Sequence, residues 1–205
     1  MKNKGNNSDF MVYLKNTNFE NFINHRTLLY GETDTEKTFY TAKFVQFLVE
    51  TERTNLKEIS ILDFAPNLKI VKNLKIGGKI EDFYKESLSC NNIRFDGEII
   101  PPRLNAQNKA ELYENACKNF QKTEKLLKIF NKNPTSILII NDISIYLHIG
   151  SVKSLLESIS KSDTFFGNTY YGSSIKSDFS TLFSLREKRL VKYLIKKIDF
   201  SYFTG

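Results

Sequence analysis

The chain has 205 residues, of which 40% are hydrophobic, 26% charged and 13% aromatic, and it carries a net charge of +7. That length and composition fit one globular domain able to bury its own core, and they exclude a collagen-like, low-complexity or disulfide-framed chain. The basic balance admits nucleic acid, an anionic surface or phosphorylated ligands as partners, although Lys and Asn are spread along the whole chain and no basic block stands out.

In chain order, residues 1–9 are polar and expected to be flexible. Phe10, Tyr13, Phe19, Phe22 and Ile23 recur irregularly, a pattern for a short helix before the first strand. That strand is predicted over 27–30 and ends at Gly31. Residues 37–51 read as a helix, with Ala42, Val45 and Leu48 three apart. A second strand over 58–64 carries Asp63 near its end and is closed by Pro66. Residues 67–105 lack strong periodicity and read as an insertion. Within it come a loop at 76–79, a short helix over 80–88, and a small edge strand over 92–100 stopped by Pro101-Pro102.

Residues 106–131 form the clearest helix, with Leu112, Ala116, Phe120, Leu127 and Phe130 on one face. Asn133-Pro134 ends it. The segment 136–144 reads as a strand, and its run Ile137 to Ile140 is the pattern of burial on both faces. A helix over 151–161 has Ser151 as its cap. A strand over 163–171 runs into Gly172. A basic amphipathic helix over 184–197 turns Leu190, Val191, Leu194 and Ile195 inward, and a last strand covers 198–203. This alternation predicts an α/β fold: a three-layer α/β/α sandwich with a mainly parallel five-stranded sheet, in a single domain over 1–205.

The chemistry concentrates in GETDTEKT, residues 31–38, between the first strand and the first helix. It nearly matches the phosphate-binding pattern G-x-x-x-x-G-K-[ST]. Backbone N–H groups of such a loop, with the positive end of the following helix, hold phosphate oxygens. A lysine neutralises phosphate charge, a Ser/Thr hydroxyl binds Mg²⁺, and an aspartate ending a buried strand holds the metal's waters. Lys37, Thr38 and Asp142 fill these roles on paper.

On these residues, GETDTEKT and ILIIND (137–142), the chain resembles the P-loop NTPases. It is most similar to uncharacterised archaeal-type P-loop proteins and more loosely to polynucleotide 5′-hydroxyl kinases. The resemblance implies a protein that binds ATP or GTP with Mg²⁺, an NTP hydrolase or phosphotransferase; the polar N-terminus without an apolar h-region leads separately to the expectation of a cytoplasmic protein. The resemblance also implies nucleotide contacts from Gly31, Glu32, Thr33, Asp34, Thr35, Glu36, Lys37 and Thr38, metal contacts from Thr38 and Asp142, and catalytic roles for Lys37, Asp142 and Asp63. Asp63 stands in as base or second metal contact, against the plainer reading of a strand-end turn residue. Asn168, ending the fourth strand, lies where related ATPases place a polar phosphate sensor.

Two departures weigh against catalysis. Glu36 replaces the second glycine, crowding the phosphates and repelling each phosphate charge by roughly 0.7–2.8 kcal/mol at about 6 Å. No Glu follows Asp142, where many P-loop ATPases place the residue that orients water. The alternative is therefore a degenerate P-loop protein that acts as a binding or regulatory partner, including a partner of nucleic acid. Arg94, Arg103, Arg186 and Arg189 are candidates for phosphate or partner contacts, with surface solvation as the plainer role. The strand order is expected to place 137–142 directly beside 27–30, as in the kinase and GTPase branch. An intervening strand would mark the RecA-like and AAA branch. Cys90 and Cys117 lie far apart and read as two buried reduced thiols, and His25 and His148 form no zinc pattern. No apolar run is long enough for a membrane span.

Overall fold

The computed structural model describes residues 18–71, 74–175 and 179–205. The expected flexible N-terminus, and Phe10 and Tyr13 of the expected first helix, lie outside them. Phe19–Phe22 forms a single 3₁₀ turn that buries Phe22. The elements that follow are β1 (Arg26–Gly31), α1 (Lys37–Gln46, continued by a π turn over Phe47–Thr51), β2 (Ile59–Asp63), β3 (Lys69–Val71), β4 (Leu74–Ile76) and β5 (Asn91–Ile93). Then come α2 (Pro102–Asn105), α3 (Lys109–Lys132), β6 (Ile137–Asn141), α4 (Ile143–Leu147), α5 (Val152–Ile159), β7 (Thr164–Tyr170), α6 (Thr181–Ile195) and β8 (Phe200–Phe203).

Six strands make the central sheet in the order β5-β2-β6-β7-β1-β8, and every neighbouring pair is parallel. The five-stranded expectation is corrected by β5, which starts one residue before the predicted edge segment and shares two residues with it, and which pairs with β2 through Ser60↔Asn91, Ile61↔Asn92 and Leu62↔Ile93. The rest of the predicted edge strand does not pair. The segment 67–105 also contains a small antiparallel hairpin, β3 with β4, that periodicity did not reveal. The predicted helix over 80–88 is two 3₁₀ turns, Ile80–Asp82 and Lys85–Ser89.

Alternation along each strand builds two cores, one on each face of the sheet. Leu28, Leu62, Leu138, Ile140 and Phe165 face α3, α5 and α6, where they meet Leu126, Phe130, Leu155, Val191 and Leu194. Their neighbours Leu29, Ile61, Ile139 and Phe166 face α1, where they meet Tyr40, Phe44, Val45 and Leu48. Phe44 stacks on Phe166 with ring centroids 4.5 Å apart. Each fully buried side chain of this size contributes about 1.5–3 kcal/mol. The α/β/α layering follows directly, because a strand run that is apolar on both faces needs cover on both.

Boundaries follow local chemistry. The Asn108 side chain accepts from Glu111 N at 3.0 Å and sets the start of α3 three residues later than expected. The predicted strand over 136–144 stops at Asn141, because Asp142 turns left-handed (φ 56°, ψ 62°) and sends the chain into α4. Cys90 is buried, but Cys117 is exposed, which corrects the expectation of two buried thiols; both are free. No helix among the described residues is long and apolar enough to cross a membrane.

Because the sheet is parallel, the C-terminal ends of β1, β2, β6 and β7 lie at one edge. Gly31, Asp63, Asn141 and Tyr170 meet there, at the edge where open α/β sheets place their ligands.

Candidate functional site

The loop 31–38 leaves β1 at Gly31. A Cβ on Gly31 would lie 2.5 Å from Thr204 Oγ1, so only glycine lets the segment after β8 pass this closely. Glu32 N donates to Gly205 O at 3.0 Å, and Thr35 Oγ1 lies 2.7 Å from Thr204 Oγ1. Thr35 Oγ1 also donates to Glu32 O at 3.0 Å, which folds the loop back on itself.

Glu36 precedes α1 in the left-handed conformation, φ 56° and ψ 14°, and its carbonyl accepts from Tyr40 N at 3.0 Å. Its side chain is exposed and makes no cap bond. The motif glycine therefore has a local cause: a Cβ in this conformation costs roughly 1–2 kcal/mol. Replacing Glu36 with Gly removes that strain and restores part of it as chain entropy, for a net gain of about 0.5–1 kcal/mol. Thermal unfolding should show Glu36→Gly melting about 2 °C above the wild type, whereas Glu36→Ala, which keeps the Cβ, should not rise. An equal rise in both variants would show that the backbone is unstrained at this point.

Lys37 is partly exposed along its stem, but its ammonium is enclosed, donating to Glu32 O and to Thr35 Oγ1 at 3.0 Å. Burial pulls its pKa down to about 8, against the opposing pull of Asp142, Glu32 and Asp34. The ammonium is thus held at the centre of the loop by the loop's own oxygens.

Thr38 opens α1, and its hydroxyl donates to Asn141 Oδ1 at 3.2 Å. Thr38 and Asp142 both line the cleft described below, and the side chain that the Thr38 hydroxyl meets directly is Asn141. Asn141 shares its strand face with Ile139, which packs under α1, whereas Asp142 falls one residue later, in the left-handed turn. Asn141 is held on all sides. Its Oδ1 also accepts from Asn168 Nδ2 at 2.8 Å, and its Nδ2 donates to Asp63 Oδ1 at 2.9 Å and Gly78 O at 3.0 Å. Asn168, predicted as a strand-end polar residue, bonds Thr41 Oγ1 at 2.9 Å and accepts from Asp142 N at 3.0 Å. It therefore fastens β7 to both β6 and α1.

Asp63 does not line the cleft described below. Its oxygens accept from Ala65 N, Ile80 N and Asn141 Nδ2, and Lys79 Nζ lies 3.7 Å away. Burial pushes its carboxyl up, against Lys79 and these hydrogen bonds. This is the bonding of a residue that anchors the 64–80 segment.

Asp142 does line the cleft. Its Oδ1 accepts from Ser144 Oγ at 2.6 Å. Burial raises its carboxyl pKa above the ordinary value, with Ser144, His148 and Lys37 pulling the other way.

The cleft itself measures about 220 Å³ and is bounded by residues 33–39 on one side and Lys75, Ile76, Gly77 and Phe83 on the other. At its rim the Glu32 carboxylate accepts from the backbone N–H groups and hydroxyls of Ser173 and Ser174, which bind the start of the β7–α6 connection to the loop. Among the described residues no group of three or more His, Cys, Asp or Glu could hold a metal.

Three of the four candidate arginines are engaged elsewhere. Arg94 pairs with Glu81. Arg186 donates to the carbonyls of Leu147, His148, Ile149 and Gly150 and so caps α4. Arg103 is 7% exposed and forms an ion pair with Glu187 at 2.6 Å, which corrects its reading as a surface residue. Arg189 is exposed on α6.

The Arg103–Glu187 pair belongs to a cluster that motif reading missed. His148 Nε2 lies 2.6 Å from the same Glu187 oxygen, and the Arg103 guanidinium sits over the Tyr170 ring, 5.1 Å from its centroid. His148 Nδ1 and Glu187 Oε1 are buried with no partner among the described residues. The signal was present in α6, where Phe183, Glu187, Val191 and Leu194 form one inward stripe with a single carboxylate in it.

No family model matches the chain, and no curated protein matches it. Solved structures do. The chain aligns over 97% of its length with 55% of a chain in the structure of Drosophila ORC bound to GC-rich DNA and Cdc6, at 12% identity and a TM-score of 0.30. It aligns over its full length with 40% of Pif1 helicase from Candida albicans, at 12% identity and a TM-score of 0.37. It also aligns over its full length with 44% of C. elegans PCH-2, at 11% identity and a TM-score of 0.32. The chain thus spans about half or less of these proteins, and at such scores the likeness adds nothing to the strand order and loop geometry.

Those two features decide the fold. The sheet is α/β and P-loop NTPase-like, with the 31–38 loop between β1 and α1. β7 stands between β1 and β6, so the expectation that 137–142 lies directly beside 27–30 is corrected. This is the order associated above with the RecA-like and AAA branch. Position in the sequence misled because β7 follows β6 in the chain yet inserts between β6 and β1 in the sheet.

Proposed function

We propose that the chain binds a nucleoside triphosphate, ATP or GTP, through the 31–38 loop. The observation that carries this is the enclosed ammonium of Lys37, at the foot of a cleft walled by the loop and the start of α1. A cation held there with no carboxylate partner in hydrogen-bond range among the described residues, beside a helix N-terminus, suits a polyphosphate. Residues 33–38 would surround the phosphates, with Lys37 leaving Glu32 O and Thr35 Oγ1 to meet them.

Mg²⁺ fits this site as a companion of the nucleotide. It takes oxygen ligands and keeps several waters, so one protein oxygen and the phosphates suffice. Thr38 supplies that oxygen, and Asn141 holds it in place. The metal supplies charge neutralisation at the phosphates. Asn141 is neutral where a carboxylate would add a charge, which supports weaker metal binding by the protein alone. Asp63 serves as an anchor of Asn141, and Asp142 stands at the cleft wall, open to the terminal phosphate.

Glu36 is the argument for the degenerate alternative. Its exposed side chain leaves it free to turn away from the phosphates, which supports retained binding. Titrating the protein with nucleotide and Mg²⁺ tests the proposal. Glu36→Gly should bind more tightly than the wild type, and binding gained only in that variant would establish the degenerate reading.

A further inference from the structure

The outward face of α6 differs from the other long helix at the surface. On α3 the exposed Lys118 and Lys128 pair with Glu114 and Glu124 one turn earlier. α6 and the turn after it carry Arg186, Lys188, Arg189, Lys192, Lys196 and Lys197, and the one carboxylate in that segment, Glu187, is buried against Arg103 and His148. Arg186 is engaged by the carbonyls at the end of α4. Among the described residues the other five cations form no ion pair.

The exposed positions of α6 step by three and four: Leu182, Leu185, Arg189, Lys192, Tyr193 and Lys196. At 3.6 residues per turn they share one arc of about 100°, about 21 Å long. Leu182 is 66% exposed, Leu185 57% and Tyr193 41%. Three of the eight large apolar side chains exposed among the described residues thus stand on this arc, beside three unpaired cations. Single exposed leucines need no explanation, but an apolar group concentrated on one basic face does.

Charge and shape select the occupant. A second copy would bring its own basic α6 to a symmetric contact, so like charges would face one another. A bilayer takes an amphipathic helix with leucines in the acyl boundary and cations on the opposite face, whereas here both share one arc. A nucleic acid meets the cations through its phosphates but leaves the leucines uncovered. An acidic helix with apolar residues three and four apart covers both, packing on Leu182 and Leu185 while its carboxylates meet Arg189, Lys192 and Lys196.

We propose that the outward face of α6 docks an acidic amphipathic helix of a partner protein. The inference is independent of the nucleotide reading above. The leucines lie at the start of α6 and the cations towards its end, so the surface also sets the direction of the bound helix. A helix about 10 Å wide laid along the arc covers roughly 200 Å², against about 800 Å² per partner in a standard interface. The contact is therefore weak and reversible.

Fluorescence anisotropy at about 50 mM salt tests this with two labelled peptides of about 18 residues, made of Leu, Glu and Ala. In one the leucines lie three and four apart on one face; in the other the same residues are permuted so that no face forms. The wild type should bind the first with a Kd of about 10–100 μM, and the permuted peptide at least about 5-fold more weakly. Combining Arg189→Glu, Lys192→Glu and Lys196→Glu should weaken binding about 10-fold or more, and combining Leu182→Ser and Leu185→Ser about 5-fold. All five side chains are exposed, so both variants should melt with the wild type. No binding by the wild type overturns the proposal, and so does equal affinity for the two peptides, which would reduce the contact to charge alone. Leucine variants that bind like the wild type also overturn it. Tighter binding of a DNA duplex or of phosphatidylserine vesicles than of the first peptide would assign the face to those partners instead, and a wild-type dimer abolished by the leucine variant would assign it to a second copy. The wild-type comparisons decide the matter even if a variant fails to fold.

Discussion

Replacing Glu187 with alanine is expected to lower the stability of the folded chain by about 3–5 kcal/mol, because it leaves a buried guanidinium without its counter-charge. Glu187 is 1% exposed, and one of its oxygens serves both Arg103 and His148, each at 2.6 Å. It thereby ties α2, the end of α4 and α6 together. Burial opposes its charge, but Arg103 and His148 outweigh burial and hold its carboxyl below the ordinary range. Against a typical total of 5–15 kcal/mol, the loss is large. Denaturant unfolding should show a lower midpoint with an unchanged slope, and a loss below about 1 kcal/mol would contradict the account.

The same cluster carries a pH signature. Burial holds the His148 pKa below its ordinary value, more than Glu187 raises it. The imidazole is therefore neutral in the fold, with Nε2–H donating to Glu187. Below about pH 6.5 the unfolded chain takes up a proton that the folded chain refuses, so this contribution to stability is present above that pH and lost as pH falls. His148→Gln should remove that falling limb between about pH 7 and 5. Comparison of the two proteins isolates His148 from Asp142, whose raised carboxyl acts with the opposite sign.

The second large effect is expected at Lys37. Lys37→Ala removes the cation that would meet the phosphates, and charged hydrogen bonds of that kind are worth about 1.5–3 kcal/mol. Nucleotide affinity should fall about 10- to 100-fold while the fold is retained, since Thr35 Oγ1 still bonds Glu32 O and Thr204 Oγ1 without the lysine. Because burial brings the Lys37 pKa down to about 8, an increasing share of the ligand-free protein is uncharged above that pH. Wild-type affinity should accordingly weaken as pH rises through 8, and Lys37→Ala should lack that dependence. Equal affinity in both proteins would place the nucleotide elsewhere.

Much of the fold was legible because single strands carried the signal. Ile137 to Ile140 is apolar on both faces and could only be a covered central strand, and GETDTEKT lay between a strand and a helix. The segment 67–105 was not legible, because its hairpin and 3₁₀ turns are held by distant partners such as Asp63, which accepts from Ile80 N at 2.8 Å. The strand order was misread for the same reason: sheet neighbours are set by packing between faces and not by position in the chain. At the site, the loop was found and Thr38 and Asp142 line one cleft, but the direct partner of the Thr38 hydroxyl, Asn141, was missed. Strand alternation held the answer, since the residue two beyond Ile139 on the α1 face is Asn141. The Arg103–Glu187–His148 cluster joins three elements far apart in sequence and matches no motif, so only the inward position of Glu187 on α6 pointed to it.

Calorimetric titration of the wild type with ATP in the presence of Mg²⁺, set beside Lys37→Ala, bears most directly on the central claim. A saturable one-to-one isotherm in the wild type, weakened at least about 10-fold in Lys37→Ala, is the predicted result. No saturable binding in the wild type at about 1 mM nucleotide, or equal binding in both proteins, would contradict it.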